Sequence, residues 1–253
     1  HRDLHSFPTR RSSDLKPLVM VCHICYHIIL LKVLNPLLKK MLWTQELRRC
    51  EMSVTLEKIK SDLESQTAKQ FYTEYIVKSS NWYFENILGK SPEESINVAD
   101  DVKLIISDGF KISFNSIMMV GSGKIGYSLS PKKLFKPFNN DEKVRKISDL
   151  DFAIISSNLF NEYWMKLRKS FRPDYMEMYH HIYQDLYRGY ISERNILNVD
   201  GCRKEWNELS SISKKELSTK LFIKNEISFR LYRSWEDFEE YNLQNIKKIK
   251  KEF

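Results

Sequence analysis

Residues 118–128 read MMVGSGKIGYS, and residues 148–156 read SDLDFAIIS. The first is a short apolar run stopped by glycine, the pattern of a buried strand that meets a turn. The second is another short apolar run, entered through Asp149-Leu150-Asp151. In a strand, residues two apart point to the same face. Asp149 and Asp151 therefore project from one side, and Leu150 and Phe152 from the other, into a core. Two carboxylates side by side repel each other unless something neutralises them.

Three readings compete for the glycines. A P-loop requires G-x-x-x-x-G-K-[ST], but Lys124 is followed by Ile125 and the position five before Gly123 is Met118, so this reading fails. A dinucleotide-binding turn is met formally by Gly121, Gly123 and Gly126. It requires a long helix directly afterwards and an acid at the carboxyl end of the next strand. Here Pro131 and Pro137 interrupt the following stretch, and Asp149 and Asp151 enter their strand rather than leave it. Proline cannot continue a helix interior. A nicotinamide-dependent dehydrogenase thus survives only if the glycine loop opens a long helix.

The third reading uses both ends of the segment. Val120-Gly121-Ser122 followed by Asp149-Leu150-Asp151-Phe152 resembles the signature of the polymerase-beta-like nucleotidyltransferase superfamily. That signature is a hydrophobic residue, Gly, then Gly or Ser, and later an Asp-hydrophobic-Asp-hydrophobic strand. The resemblance covers roughly residues 116–156. It implies an α+β fold with a mixed β-sheet core and flanking helices, a nucleoside triphosphate substrate and Mg²⁺. Asp149 and Asp151 would hold a pair of Mg²⁺ ions about 4 Å apart, which clamp the attacking and leaving oxygens of a phosphoryl displacement. Gly121 would let backbone approach the triphosphate. Ser122 would add a hydroxyl and an N–H at a helix start, where anions are favoured. Lys124 would add charge near the phosphates.

Active members of the superfamily usually carry a third carboxylate on a later strand. The best later strand is EISFRLYRS, whose polar face shows Ser228, Arg230 and Tyr232. Glu226 at its edge is the one acid placed to serve, because Asp174 and Glu177 lie in a stretch that reads as helix. The expected activity is Mg²⁺-dependent transfer of a nucleoside monophosphate to an acceptor hydroxyl on a small molecule, a nucleotide, an RNA end or a protein. The alternative is a degenerate relative that binds nucleotide and regulates a partner such as a toxin.

The remainder of the chain reads as helices around this centre. Leu56, Ile59, Leu63, Phe71 and Tyr75 recur at helical spacing, which predicts a helix from Ser53 through residue 88. Ser91-Pro92-Glu93-Glu94 is a strong helix start. Residues 158–171, 176–191 and 236–253 complete the helices. The last has its acids first and its lysines last, as the helix dipole favours. His180 and His181 are adjacent rather than four apart, a poor metal site. Trp82-Tyr83-Phe84 and Tyr179, Tyr183, Tyr187 and Tyr190 read as packing, and Arg230 and Arg233 read as structural.

The net charge of +8 over 253 residues would point towards nucleic acid. Residues 1–51, however, hold nine Lys and Arg against four acids, leaving the rest at only +3. They also hold three of the four cysteines, leaving Cys202. A lone cysteine fits a reducing compartment, so a cytoplasmic setting is expected. The first fifteen residues, HRDLHSFPTRRSSDL, back-translate in frame to a common sequencing-library adapter. Residues 1–51 are accordingly read as a non-native leader, with initiation at Met52 or, failing that, Met41. The apolar run at 16–40 is interrupted by Lys32, Asn35 and Pro36, which makes it a poor spanning helix, and no membrane partner is expected. The expected organisation is a helical segment over 52–110 and the sheet-bearing core over 111–253.

Overall fold

The computed structural model describes residues 55–78, 80–141, 146–173 and 176–252. The proposed leader, its candidate start codons, Ser53 and Asp174 lie outside these residues. Residues 54–253 form one compact unit. The fold is α+β: a four-stranded mixed sheet with helices on both faces.

The strands are β1 (Ile117–Val120), β2 (Leu150–Ile155), β3 (Tyr190–Ser192) and β4 (Ile227–Tyr232). Their spatial order is β1-β2-β4-β3. β1 lies antiparallel to β2 with Val120 opposite Asp151, and β2 runs parallel to β4 with Asp151 opposite Ser228. β3 closes the far edge antiparallel to β4, with Ser192 opposite Arg230. The parallel pair requires a long crossover, and the helices between β2 and β4 supply it.

Alternation along the strands divides the side chains between two cores. On one face Ile117, Met119, Leu150, Phe152, Ile154, Ile191, Ile227, Phe229 and Leu231 are buried. They pack against α3 (Trp82–Asn86), α4 (Pro92–Phe110), α6 (Ser157–Lys169) and α9 (Asp200–Lys220), centred on Trp206, whose ring lies 5.3 Å from Phe110 and 5.0 Å from Tyr163. The second face carries Ala153, Ile155, Tyr190 and Tyr232. It is covered by α1 (Leu56–Ser65), α2 (Ala68–Tyr72) and the carboxyl-terminal α10 (Trp235–Glu252). Asp149 and Asp151 belong to this second face.

The long helix expected from residue 53 is broken into pieces. α1 ends at Ser65, and Thr67 caps α2 by a reciprocal capping box with Gln70. A π-helical turn over Thr73–Val77 follows, and α3 starts afresh at Trp82. Short polar caps outcompete a continuous helix where side chains satisfy the backbone donors. Ser91 caps α4 through the expected box with Glu94. α7 (Met176–Tyr187) ends four residues short of the expected limit, because Gly189 at φ +73° turns the chain into β3. Two short helices, α5 (Ser122–Ile125) and α8 (Glu193–Leu197), follow β1 and β3. Among the described residues no helix is long and apolar enough to cross a membrane.

Candidate functional site

The glycine-serine bend and the paired acids meet at one end of the sheet. Gly121 leaves β1 with φ +71° and ψ −158°, a backbone region essentially reserved for glycine. The reason for glycine is also spatial: a Cβ here would stand 2.6 Å from Asp151 Oδ2. The bend therefore lies directly on the Asp151 carboxylate. Ser122 begins α5 immediately afterwards. That helix has only four residues, so the long helix of a dinucleotide-binding turn is not formed, and one turn carries little helix dipole. What this corner offers an anion is its backbone N–H groups and the Ser122 hydroxyl.

Asp151 accepts a hydrogen bond from Ser228 Oγ at 2.6 Å. Burial raises its carboxyl above the ordinary value, and the neighbouring Asp149 charge pushes the same way. The Ser228 hydroxyl, Arg230 and Lys133 pull it back down. A half-buried acid beside a second acid is a place where a bound cation would relieve both desolvation and repulsion.

The Asp149 backbone is held from behind. Asn225, buried two residues before β4, donates from Nδ2 to the Ser148 carbonyl and to Asn140 Oδ1, both at 2.9 Å. Its Oδ1 accepts from the Tyr83 hydroxyl at 2.7 Å. Glu226 joins this framework through its backbone: its carbonyl accepts from Leu150 N–H at 2.8 Å, and its side chain is exposed. It stands one step before Ile227, as Asp149 stands one step before Leu150, so the two acids flank the entrance of the parallel pair. The position directly across from Asp151 is occupied by Ser228 rather than by an acid. Among the described residues no group of three or more His, Cys, Asp and Glu is close enough to hold a metal ion. The donors gathered here, two carboxylates with a hydroxyl beside them, fit one Mg²⁺ completed by phosphate and water.

Lys124 is not brought to this corner. It is 5% exposed, its ammonium donates to the Lys78 carbonyl, and it is not among the charges that act on Asp151. Among the described residues the cations that act on Asp151 are Arg230 and Lys133. Arg230 lies on the same face of β4 as Ser228, two residues on. Its guanidinium sits 5.1 Å from the rings of both Tyr190 and Tyr241 and donates from Nη1 to the Tyr241 hydroxyl at 2.8 Å. Ser228, Asn225 and Lys133 carry no motif of their own. Only Ser228 had a usable signal, its alternation with Arg230 on the strand that follows the acids.

His180 and His181 lie exposed on α7 with ring centroids 6.2 Å apart, and Trp82, Tyr83 and Phe84 pack into the first core. Comparison with protein-family models, with curated proteins and with solved structures finds no match to this chain.

Proposed function

We propose that this corner binds the triphosphate of a nucleoside triphosphate with Mg²⁺ and transfers the nucleoside monophosphate to an acceptor hydroxyl. The supporting observation is the approach of Gly121 to Asp151, so close that a Cβ would stand 2.6 Å from Asp151 Oδ2: the bend suited to phosphate and the acid suited to a cation are neighbours. The Gly121–Ser122 backbone and the Ser122 hydroxyl bind and orient the phosphates. Asp149 and Asp151 hold the cation, which when bound neutralises charge on the phosphate oxygens. A second ion would have to draw on Glu226. The acceptor oxygen attacks the α-phosphorus, the bond to the β-phosphate oxygen breaks, pyrophosphate leaves and the hydroxyl proton passes to solvent. The acceptor is a small molecule, a nucleotide, an RNA end or a protein side chain. We take the cytoplasm, where nucleoside triphosphates are plentiful, as the setting.

A second reading has its own observation. Ser228 occupies the place across from Asp151 where a third acid would complete a two-metal site. On that reading the chain binds nucleotide without transferring it and regulates a partner. Incubation with each nucleoside triphosphate and Mg²⁺, with wild type beside the Asp149→Ala/Asp151→Ala double variant, separates the two. Transfer predicts pyrophosphate release by wild type alone. Nucleotide binding without release supports the regulatory reading, and no Mg²⁺-dependent binding by wild type rejects both.

A further inference from the structure

Lys124 stands three residues past Gly121 but serves a different part of the molecule. It is 5% exposed, and its ammonium donates to the carbonyl of Lys78, which ends the π-helical turn at Thr73–Val77. Beside it opens a cavity of about 150 Å³ along the outer edge of β1. Lys124, Lys103, Asn81, Asn115, Phe84 and Trp235 are among the residues that line it. Neither the phosphate corner nor the paired acids belong to this cavity, so its chemistry is independent of the nucleotide reading.

Among the described residues no carboxylate lies within ion-pairing distance of Lys124. A buried ammonium without an ion pair gives up its proton readily. Burial brings Lys124 down to about 8, and the charge of Lys103 on α4 adds to the effect. Glu85 on α3 opposes it, and burial raises the Glu85 carboxyl in turn. Paired titratable groups pushed in opposite directions mark places where chemistry is possible. Lys103 is matched by Asp100 at 3.0 Å and lies 5.3 Å over the Phe114 ring. The lining thus has little net charge to attract an anion. It offers apolar wall, amide groups and two amines, of which Lys103 is ion-paired and Lys124 is not, which suits a small neutral electrophile.

We propose that Lys124 is an imine-forming lysine whose Nζ condenses with a small aldehyde entering this cavity. The Nζ lone pair adds to the carbonyl carbon to give a carbinolamine. The carbonyl oxygen then leaves as water with the two amine hydrogens, and a C=N bond replaces C=O. No oxidant, reductant or further reactant is consumed. Lys103 and Asn115 also line the cavity and are the polar groups that would serve the carbonyl oxygen as it takes on charge.

Acetaldehyde with cyanoborohydride tests this on the whole chain, because reduction fixes each imine at the lysine that formed it. Peptide mass spectrometry then gives the order of labelling. At pH 7 a lysine titrating near 8 has a neutral fraction on the order of a hundredfold above that of an ordinary lysine. Lys124 is expected to label at least about tenfold faster than Lys58, Lys69 and Lys220, whose side chains are 58%, 59% and 62% exposed. The α-amino group, which titrates in the same range, is the internal reference. The Lys124 rate should level off above about pH 8 while exposed lysines continue to speed up. Lys124→Met should remove the fast site and leave the order of the others unchanged. Labelling that tracks exposure, with Lys124 among the last, overturns the proposal, and this outcome is read on wild type whether or not the variant folds.

Discussion

Asp151 is a residue whose chemistry and stability pull in opposite directions. Its carboxyl holds a proton more tightly in the fold than in the unfolded chain, because burial and Asp149 disfavour the charge. Its contribution to stability is therefore greatest when it is protonated, below the ordinary value of 3.8. That contribution is lost as pH rises through the raised folded value. At neutral pH the ionised side chain opposes folding. Asp151→Asn keeps an acceptor for Ser228 Oγ and removes the charge, so at pH 7 it should raise stability by roughly 1 kcal/mol, as substitutions at strained functional sites commonly do. Thermal melts at pH 7 and near pH 3.5 check the sign: the variant's advantage should shrink in acid, as the Asp151 carboxyl takes up its proton. Mg²⁺ should raise the wild-type Tm more than that of the variant. A variant that melts below wild type at pH 7 would show that the carboxylate is compensated more fully than its surroundings indicate.

Elements whose pattern is long or whose caps are explicit were legible in the amino-acid sequence. α4 was readable from Ser91-Pro92-Glu93-Glu94, and β1, β2 and β4 from their apolar runs. β3 was not, because three residues hold no period. Tyr190 and Ile191 look like the tail of the preceding helix until Gly189 turns the chain. α9 hides for a different reason: its buried face includes Ser210 and Ser213 beside Cys202, Trp206 and Leu217, so its apolar stripe is thin. The helical break at Gln66–Thr67 lay within a continuous helical period, and capping decided it. At the candidate site, the acids and the glycine bend are visible as motifs, whereas the spacing that suggests Lys124 as a phosphate contact does not tell that the Lys78 carbonyl takes its ammonium.

A consequence of the short β3 is visible at Glu193. β3 ends at Ser192, so the Phe229 N–H of β4 faces past the end of the ladder, and Glu193 Oε2 accepts it at 3.0 Å. The other carboxylate oxygen accepts from Trp206 Nε1 at 2.8 Å and from Lys214 Nζ at 2.9 Å. One buried side chain thus joins α8, α9 and β4. Glu193→Ala would leave the Trp206 and Phe229 donors unmet and should cost about 3 kcal/mol. Urea unfolding measures it. A cost below about 1 kcal/mol, typical of an exposed ion pair, would show that this carboxylate is not what closes the edge.

At the scale of the whole molecule, two cores share one sheet. Phe152 and Ile154 belong to the first, Ala153 and Ile155 to the second, and they alternate along the same strand. β4 does likewise with Phe229 and Leu231 against Tyr232. Neither layer of helices can leave without stripping one side of strands that the other layer needs. Residues 54–253 should therefore unfold in a single transition, with far-UV circular dichroism and tryptophan fluorescence coincident. Trp206 and Phe238 probe the two sides. Trp206 is fully buried in the first core, and Phe238, also fully buried, meets Tyr232 edge to face at 5.0 Å in the second. Trp206→Ala and Phe238→Ala should each lower the midpoint, by about 3–5 kcal/mol of stability, with an unchanged dependence on denaturant. The Phe238 variant is the sharper test, because α10 and the amino-terminal helices lie outermost on the acid-bearing face. If its transition splits in two, the helices over that face form a separable layer, and the corner at Asp151 can open without unfolding the sheet that positions it.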